Sequence, residues 1–418
     1  MNIKKLYSIF KQHPIVCTDS RKIIQGAIFF ALKGEKFNGN KYALKAIQDG
    51  CRFAIIDEKE YETGQNTILV EDVLETLQQL AQFHRQQLAL PIIGITGTNG
   101  KTTSKELINS VLSSELNCYA TKGNLNNHIG VPLSLLEVNS KHEIAIIEMG
   151  ANHQKEIEFL CNIAKPTHGV ITNISRAHLE GFKNLEGVIK TKNELFQFIA
   201  KNKGRLFVNA EDELLLHLSN TIERTTYGYK GDIRGEITAT THLVHVNYKD
   251  NIIKSHLIGD FQFNNIMLAI CIGDYFNISN DNMQQNIENY IPSNNRSQII
   301  ETKNNTLILD AYNANPSSMK AMILSFSKQD YTNKICILGD MLELGKYSKK
   351  EHQKITALCK TLNLNCYFIG EEFKGINNNA FKNRRDFEEK IQKKTIKGKT
   401  ILLKGSRGIG LEKLVEYL

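Results

Sequence analysis

Ile92-Ile-Gly-Ile-Thr-Gly-Thr-Asn-Gly-Lys-Thr-Thr103 is the stretch that decides the fold of this chain. Its first five residues form an apolar run of the length of a buried strand, and a helix is predicted from Ser104 onward. The glycine loop between them can surround phosphate oxygens with backbone N–H groups, reinforced by the helix N-terminus. In such loops a lysine neutralises charge and a hydroxyl coordinates magnesium, and we predict Lys101 and Thr102 for these two roles.

The loop departs from the strict P-loop pattern at one position. That pattern has a glycine five positions before the second glycine, where this chain has Ile95. A glycine-rich turn alone is often only structural, but Gly-Lys-Thr between a buried strand and a helix predicts nucleotide binding. The predicted phosphate-binding residues are Gly97, Thr98, Asn99, Gly100, Lys101, Thr102 and Thr103.

Apolar runs alternate with polar loops and helical patterns along most of the chain. The predicted strands after the first domain cover residues 92–96, 143–148, 168–172, 205–209, 306–310, 334–339, 366–369 and 400–404. This alternation predicts parallel sheets covered by helices, the α/β class. Shorter runs at 27–32, 53–57 and 67–70, followed by a helix capped by Asp72, predict a small mixed α/β domain at the start.

The length of 418 residues predicts more than one core, and we expect three domains. Pro91 marks the first boundary, and the polar stretch that begins at Pro292 marks the second. The predicted domains are 1–89, which is small and mixed, 90–293, a central P-loop ATPase-like domain with a parallel sheet, and 294–418, a Rossmann-like domain.

Composition narrows the class of protein and of partner. Hydrophobic residues make up 41% and charged residues 23%, enough for packed cores. The start has no signal-peptide pattern and the chain has no run of about 18 apolar residues, so we expect a cytoplasmic protein without a membrane partner. The eight cysteines lack C-x-x-C spacing and are expected to be reduced and buried. A net charge of +8, in short basic runs without interleaved aromatics, favours an anionic ligand over nucleic acid.

Three further polar residues follow predicted strands or lie on a predicted helix. Glu148 ends the strand at 143–148, at the edge of the sheet where ligands bind in open α/β folds, and a carboxylate there can hold magnesium. His178 lies in the loop after the next strand, where a lone histidine is more often structural. Lys192 lies on a helical pattern, where a lysine is ordinarily a solvated side chain.

These segments together resemble the Mur ligase family. The resemblance runs from the phosphate loop through Glu-Met-Gly-Ala-Asn-His-Gln-Lys-Glu-Ile157 and Thr172-Asn-Ile-Ser-Arg-Ala-His-Leu-Glu-Gly-Phe182, and covers nearly the whole chain. It implies that Glu148 and His178 bind magnesium ions with Thr102, and that Lys192, fourteen residues after the histidine, is carbamylated by CO2. The implied catalytic residues are Lys101, His178 and Lys192.

Other segments are similar to particular members of that family. Thr18-Asp-Ser-Arg21 looks like the part that holds a UDP-muramoyl group, which implies substrate contacts from Ser20 and Arg21. Thr121-Lys-Gly-Asn-Leu-Asn-Asn127 and Asp310-Ala-Tyr-Asn-Ala-Asn-Pro316 are similar to the members that act on the tripeptide. The further substrate contacts so implied are Asn124, Asn126, Asn313 and Asn315. The implied substrates are UDP-N-acetylmuramoyl-tripeptide and D-alanyl-D-alanine, used by a monomer.

The resemblance also implies the remaining ATP contacts. They are Asn265, Arg296, Asp310 and Tyr312, with Lys404-Gly-Ser-Arg407 in the closing carboxyl-terminal domain. One position departs from the family, which often has histidine where this chain has Phe261. An aromatic ring can still pack on adenine, so adenine packing at this position is expected through the phenyl ring.

The chemistry implied is ATP-dependent amide-bond formation through an acyl phosphate, in peptidoglycan precursor synthesis. One alternative is a ligase that adds glutamate to folate, but such enzymes usually have Gly-Ser after the loop lysine, where this chain has Thr102 and Thr103. A second alternative is a catalytically silent nucleotide-binding or partner-binding protein with the same fold. Magnesium-dependent ATP turnover with the right acceptor separates these possibilities.

Overall fold

The computed structural model describes residues 2–64, 66–176, 179–238, 242–331, 333–393 and 395–418. The first part of the chain forms a four-stranded parallel sheet in the order β1-β2-β5-β6, with a β3-β4 hairpin beside it. Its strands are β1 (Val16–Cys17), β2 (Ile28–Phe30), β3 (Lys33–Gly34), β4 (Phe37–Asn38), β5 (Phe53–Ile56) and β6 (Thr67–Leu69). Its helices are α1 (Ile3–Gln12), α2 (Ala43–Gln48) and α3 (Val73–Gln86). The predicted cap of α3 is confirmed, because the Asp72 carboxylate accepts a hydrogen bond from the Glu75 N–H at 2.7 Å.

The central part is a parallel sheet of seven strands in the order β13-β12-β11-β10-β7-β9-β8. These strands are β7 (Ile92–Thr96), β8 (Cys118–Ala120), β9 (Ile144–Glu148), β10 (His168–Ile171), β11 (Arg205–Asn209), β12 (Arg224–Gly228) and β13 (Ile233–Arg234). The chain winds from β7 to one side of the sheet and, after β9, crosses to the other side at β10. The carboxyl end of β7 is therefore the topological switch point, where ligands bind in open α/β sheets.

Helices cover both faces of this sheet. They are α4 (Lys101–Leu112), α5 (Gly130–Glu137), α6 (Glu156–Ala164), α7 (Leu179–Phe182), α8 (Leu185–Lys201), α9 (Glu213–Leu218), α10 (Phe263–Tyr275) and α11 (Asn280–Glu288). The side chains of β7 alternate between two cores: Ile92 packs in the core with α5, α6 and α8, and Ile93 and Ile95 pack in the core with α4 and α10. Two-sided burial explains why this strand is continuously apolar.

The sequence did not predict a three-stranded antiparallel sheet that follows β13 and precedes α10 along the chain. Its strands are β14 (Glu236–Thr238), β15 (Leu243–Tyr248) and β16 (Asn251–Ile258). The side chains of β15 alternate between half-buried and buried, and Val244, Val246 and Tyr248 pack against the core that contains α10. This period of two is the pattern of a sheet with one covered face.

The last part of the chain is a five-stranded sheet in the order β17-β18-β21-β19-β20, parallel except for β17. Its strands are β17 (Gln298–Glu301), β18 (Thr306–Asp310), β19 (Lys334–Gly339), β20 (Asn365–Ile369) and β21 (Thr400–Lys404). Its helices are α12 (Pro316–Lys328), α13 (Ser348–Thr361), α14 (Glu371–Lys374) and α15 (Arg384–Lys393). Short 3-10 helices lie at Gly39–Tyr42, Lys59–Tyr61, Asp260–Gln262, Gly345–Tyr347, Arg407–Ile409 and Leu411–Tyr417.

The predicted α/β class is confirmed, with parallel sheets in all three parts of the chain. All eight cysteines are free thiols, and six are buried, whereas Cys118 and Cys366 are only partly buried, so the prediction of complete burial is wrong for these two. Within the described residues, no helix combines the length and the apolar character needed to cross a membrane.

Candidate functional site

The phosphate loop follows β7 and needs two of its glycines for separate steric reasons. Gly97 has φ of 147°, and a Cβ there would lie 1.9 Å from the Thr172 hydroxyl oxygen. Gly100 has φ of 80°, forms the N-cap of α4, and its Cβ would lie 2.8 Å from the side-chain oxygen of Asn265. A side chain at either position would therefore displace the loop. Helix α4 begins at Lys101, three residues earlier than predicted.

Lys101 lies within the curve of the loop at the start of α4. Its Nζ donates a hydrogen bond to the Gly97 carbonyl oxygen at 2.7 Å. Burial lowers the pKa of Lys101, the Glu148 carboxylate acts against that shift, and Arg296 adds to it. The ammonium group is thus held over the cavity between a carboxylate and a second cation, where an anionic phosphate would stabilise its charge.

Glu148 lies at the end of β9, beside the loop, as predicted. Its carboxylate is 1% exposed and accepts hydrogen bonds from the Thr102 hydroxyl at 3.0 Å and from the Asn126 amide at 2.8 Å. All three residues line the same cavity. A hydroxyl and a carboxylate in contact supply the oxygen ligands that Mg²⁺ prefers, so this pair fits the predicted metal.

Lys192 lies on α8 and is buried, with 3% of its surface exposed. Burial, together with the positive charge of Lys101, lowers the pKa of Lys192 to about 7. This lysine is therefore not the solvated side chain that its helical position alone would indicate. His178 lies outside the described residues, and within those residues no three His, Cys, Asp or Glu side chains are grouped as for a metal ion.

The carboxyl-terminal domain contributes charged residues to the wall of the cavity that faces the phosphate loop. The Arg296 guanidinium lies 3.7 Å from the centroid of the Tyr312 ring, within the range of a cation–π contact. Lys404, which is 2% exposed, donates to the Asp310 carboxylate at 2.6 Å. The Ser297 N–H donates to the other oxygen of Asp310, at 3.2 Å, so this carboxylate is held in one orientation.

Side-chain amides and hydroxyls join the phosphate loop directly to the start of α12. The Asn315 amide donates to the Asn99 side-chain oxygen at 2.7 Å, and the Asn99 amide donates to the Ser317 hydroxyl at 2.9 Å. The Ser175 and Ser317 hydroxyl oxygens are 2.8 Å apart. Asn99 and Ser175 belong to the central part and Asn315 and Ser317 to the last part, so these four residues form a clasp between the two domains.

Asn265 and Phe261 lie on the side of the cavity formed by the start of α10. Asn265 accepts a hydrogen bond from the Ser104 hydroxyl at 2.9 Å and donates to the Gln262 side chain at 2.6 Å. Phe261 is 37% exposed and lines the cavity. The ring that departs from the family pattern is therefore available to a ligand.

One cavity of about 1460 Å3 brings together most of the predicted site residues. These are Gly97, Thr98, Asn99, Gly100, Lys101, Thr102, Thr103, Asn124, Asn126, Glu148, Lys192, Asn265, Arg296, Asp310, Tyr312, Asn313 and Asn315. Ser20 and Arg21 do not line it, and the Arg21 side chain is 86% exposed and pairs with Asp19 at 2.8 Å. Ser20 and Arg21, the predicted substrate contacts from the first domain, thus lie outside the cavity that the other predicted residues line.

Sequence reasoning missed four residues that hold the site in shape. Asn173, Ser175 and Ser317 fix the phosphate loop: the Asn99 N–H donates to Asn173 at 3.1 Å, and the two serines belong to the clasp. Lys105 is a buried cation behind the loop. The second lysine of Gly-Lys-Thr-Thr-Ser-Lys, one helical turn after Lys101, was a usable signal, because residues four apart lie on the same helix face.

A phosphate loop at the switch point of a parallel sheet, closed by a second sheet domain that adds charged groups, defines a nucleotide-dependent enzyme with its site between two domains. Three family models match: the Mur ligase family catalytic domain over residues 14–85, the Mur ligase middle domain over 95–273, and the Mur ligase glutamate ligase domain over 295–407. The UDP-N-acetylmuramoyl-tripeptide--D-alanyl-D-alanine ligase of Bacillus subtilis is 33% identical, over 96% of this chain and 92% of that protein. The chain belongs to the Mur ligase family.

Solved structures agree in fold along nearly the whole chain. A crystal structure of MurF from Acinetobacter baumannii matches with a TM-score of 0.85 and 28% identity, over 96% of this chain and 92% of that one. The MurF ligase of Thermotoga maritima, solved in complex with ADP, matches with a TM-score of 0.83 and 24% identity, over 96% of each chain. The three-part architecture is therefore that of the family.

Proposed function

We propose that this chain is an ADP-forming ligase that joins D-alanyl-D-alanine to UDP-N-acetylmuramoyl-tripeptide with ATP as the energy source. The observation that carries the proposal is the single cavity in which the phosphate loop and Glu148 face Arg296, Asp310 and Asn315 of the other domain. The relative from Bacillus subtilis, which bears that activity in its name, is similar over 92% of its own length, and this supports the proposal.

The reaction follows from the difficulty of acylating an amine with a free carboxylate. Oxide is too poor a leaving group, so the terminal carboxylate of the donor peptide first attacks the γ-phosphorus of ATP, which forms an acyl phosphate and releases ADP. The amine of D-alanyl-D-alanine then attacks the acyl carbon, and phosphate leaves with the bonding electrons of the C–O bond. No covalent intermediate with the protein is needed, and the protein contributes positioning and charge stabilisation.

The predicted residues divide these tasks between the two walls. Lys101 and the loop N–H groups hold the triphosphate, and Thr102 and Glu148, with His178, would hold Mg²⁺, which supplies charge neutralisation at the phosphates when bound. On the other wall Arg296, Asp310 and Tyr312 contact the nucleotide. Asn265 and the Phe261 ring, at the start of α10 in the central part, lie near the base. The donor peptide is held by Asn124, Asn126, Asn313 and Asn315, and its UDP group by Ser20 and Arg21.

We assign a carbamate to Lys192. A neutral amine adds CO2 and loses a proton to give an anion, and the lowered pKa of about 7 makes the neutral amine available near neutral pH. The product would be a buried anion close to Lys101 and the metal, where the free lysine would be a second buried cation. The burial that destabilises the Lys192 ammonium group therefore favours its conversion to a carbamate, provided that cations surround the resulting anion.

The cellular setting follows from the substrates. The reaction belongs in the cytoplasm, in the synthesis of peptidoglycan precursors, and through them in cell shape, the cell cycle and cell division. We propose that the enzyme acts as a monomer.

The test is a matrix of donors and acceptors. Purified enzyme with ATP and Mg²⁺ is offered the UDP-muramoyl dipeptide, tripeptide or a folate, each paired with D-alanyl-D-alanine, D-alanine, diaminopimelate or glutamate, and phosphate release is measured. We expect turnover with the tripeptide and D-alanyl-D-alanine. Turnover with folate and glutamate alone would identify the alternative ligase, and nucleotide binding without turnover in any pair would identify a silent binding protein.

A further inference from the structure

Lys105 is a buried lysine that none of the proposed steps uses. It lies on α4, one helical turn after Lys101, and is 3% exposed. It does not line the cavity. A lysine is rarely buried unless oxygen atoms surround its ammonium group, so its partners show what it does.

Its three partners come from two separate segments. The Nζ atom donates to the Thr121 carbonyl oxygen at 2.6 Å and to the Gly123 carbonyl oxygen at 3.4 Å. The same Nζ lies 3.8 Å from an oxygen of the Glu148 carboxylate. One cation thus contacts both the segment 121–127, which carries two of the proposed donor-peptide contacts, and the carboxylate proposed to hold Mg²⁺.

Segment 121–127 and Glu148 are also joined directly by hydrogen bonds that do not involve Lys105. The Glu148 N–H donates to the Thr121 hydroxyl at 3.0 Å, and the Asn126 amide donates to the carboxylate at 2.8 Å. The Gly150 N–H donates to the Asn126 carbonyl at 2.7 Å. The Lys105 ammonium group, segment 121–127 and the Glu148 carboxylate therefore each contact the other two.

We propose that Lys105 is a positioning residue that fixes segment 121–127 relative to Glu148, so that the donor peptide and the Mg²⁺ ion are held in register. The inference rests on the proposed function. Lys105 acts through its neighbours and does not touch the reacting atoms. Its charge opposes that of the buried carboxylate, and its hydrogen bonds set the path of the segment.

The chain offers a matched control in Lys334. Its Nζ also donates to two backbone carbonyls, those of Ser327 at 2.7 Å and Gln329 at 2.8 Å, in the last domain and away from the cavity. Lys334→Met removes the same kind of hydrogen bond to backbone carbonyls. It does so outside the proposed site, and the Glu148 carboxylate is not involved. Loss of stability common to both lysine substitutions is thereby separated from an effect on the site.

The experiment compares Lys105→Met, Lys105→Gln and Lys334→Met with the wild type, each assayed well below its Tm. Partners that orient a metal ligand typically contribute 10-fold to 100-fold to metal affinity or activity. We therefore expect Lys105→Met to raise the KM for the tripeptide donor, the half-saturating Mg²⁺ concentration, and the Kd of the donor in calorimetric titration without ATP or Mg²⁺, each by about tenfold or more. Lys105→Gln keeps a hydrogen-bond donor without the charge, so it should recover the donor KM in part and leave Mg²⁺ saturation weak. Lys334→Met should lower only the Tm.

Unchanged donor and Mg²⁺ constants in folded Lys105→Met would overturn the inference, as would the same kinetic change in Lys334→Met. Should neither Lys105 variant fold, Thr121→Val tests the same connection between segment 121–127 and Glu148. This substitution removes the hydroxyl oxygen that accepts a hydrogen bond from the Glu148 N–H. It should raise the same constants, and wild-type constants in that variant would also contradict the inference. A wild-type enzyme that forms no product from the tripeptide would instead refute the proposed function.

Discussion

Asn315 allows the clasp between the domains to be separated from the stability of the helix that carries it. Its side-chain oxygen caps α12 by accepting from the Ser318 N–H at 2.9 Å, and its amide donates to Asn99 across the domain boundary at 2.7 Å. Asn315→Ala removes both contacts. Asn315→Ser keeps a good N-cap and is too short to reach Asn99, so the two variants differ mainly in the cap.

The two effects have different magnitudes and different measurements. Loss of an Asn cap costs about 1 kcal/mol, so Asn315→Ala should lower the free energy of unfolding of the last domain by that amount, and its Tm in calorimetry by about 3 °C. Asn315→Ser should stay within about 0.5 kcal/mol of the wild type. The hydrogen bond across the boundary contributes about 1 kcal/mol net, which is roughly a fivefold change in the equilibrium between docked and undocked domains.

Both variants should therefore raise the KM for ATP by a factor of up to about five, and the KM for the donor by at least as much because Asn315 is also proposed to hold the donor, with kcat near that of the wild type since saturating ligands restore docking. Steady-state phosphate release at varied ATP and varied donor gives both constants. A wild-type KM for ATP in Asn315→Ser would refute the clasp. An increase confined to the donor KM would show that Asn315 acts by direct substrate contact alone.

Lys101→Ala and Glu148→Ala should fold and lose most turnover, because each removes charge compensation at the triphosphate instead of core packing; calorimetry checks that they fold and phosphate release measures turnover, and near-native activity in either would contradict the site. Arg21→Ala should raise the KM for the UDP-linked donor more than that for ATP, and an effect on ATP alone would contradict its assignment. Lys192→Ala should fold and turn over very slowly, with partial recovery in acetate or formate, and labelled bicarbonate should give a carbamate signal in carbon-13 NMR of the wild type. Since a protonated amine cannot add CO2, that signal should decline as pH falls below about 7, the pKa of Lys192, and a signal that grows at lower pH would contradict the carbamate.

The sequence predicted the parts of the fold that local patterns determine. Strands such as β7 and β18 carry consecutive buried apolar residues because both faces of the sheet are covered. A Gly-Lys-Thr loop between a strand and a helix is typical of nucleotide binding. The sheet formed by β14, β15 and β16 was not predicted although β15 alternates with a period of two, because a half-buried strand lacks the continuous apolar run that marks the buried parallel strands.

Contacts that depend on distant segments could not be predicted in the same way. The pairing of Asn99 with Asn315 spans more than two hundred residues, and nothing near either residue indicates it. Two of the three partners of Lys105 are backbone carbonyls, which leave no mark in the sequence. For Arg21 the sequence motif predicted a substrate contact, but the structure places its exposed side chain outside the cavity.

One chain is proposed to activate the tripeptide carboxylate with ATP and to transfer the acyl group to D-alanyl-D-alanine. The most direct measurement uses UDP-N-acetylmuramoyl-tripeptide labelled with oxygen-18 in its terminal carboxylate, with ATP, Mg²⁺ and D-alanyl-D-alanine, and follows both products by mass spectrometry. The acyl phosphate route predicts one pentapeptide per ADP and one labelled oxygen in each phosphate released. Pentapeptide formed with unlabelled phosphate, or phosphate released without pentapeptide, would contradict it.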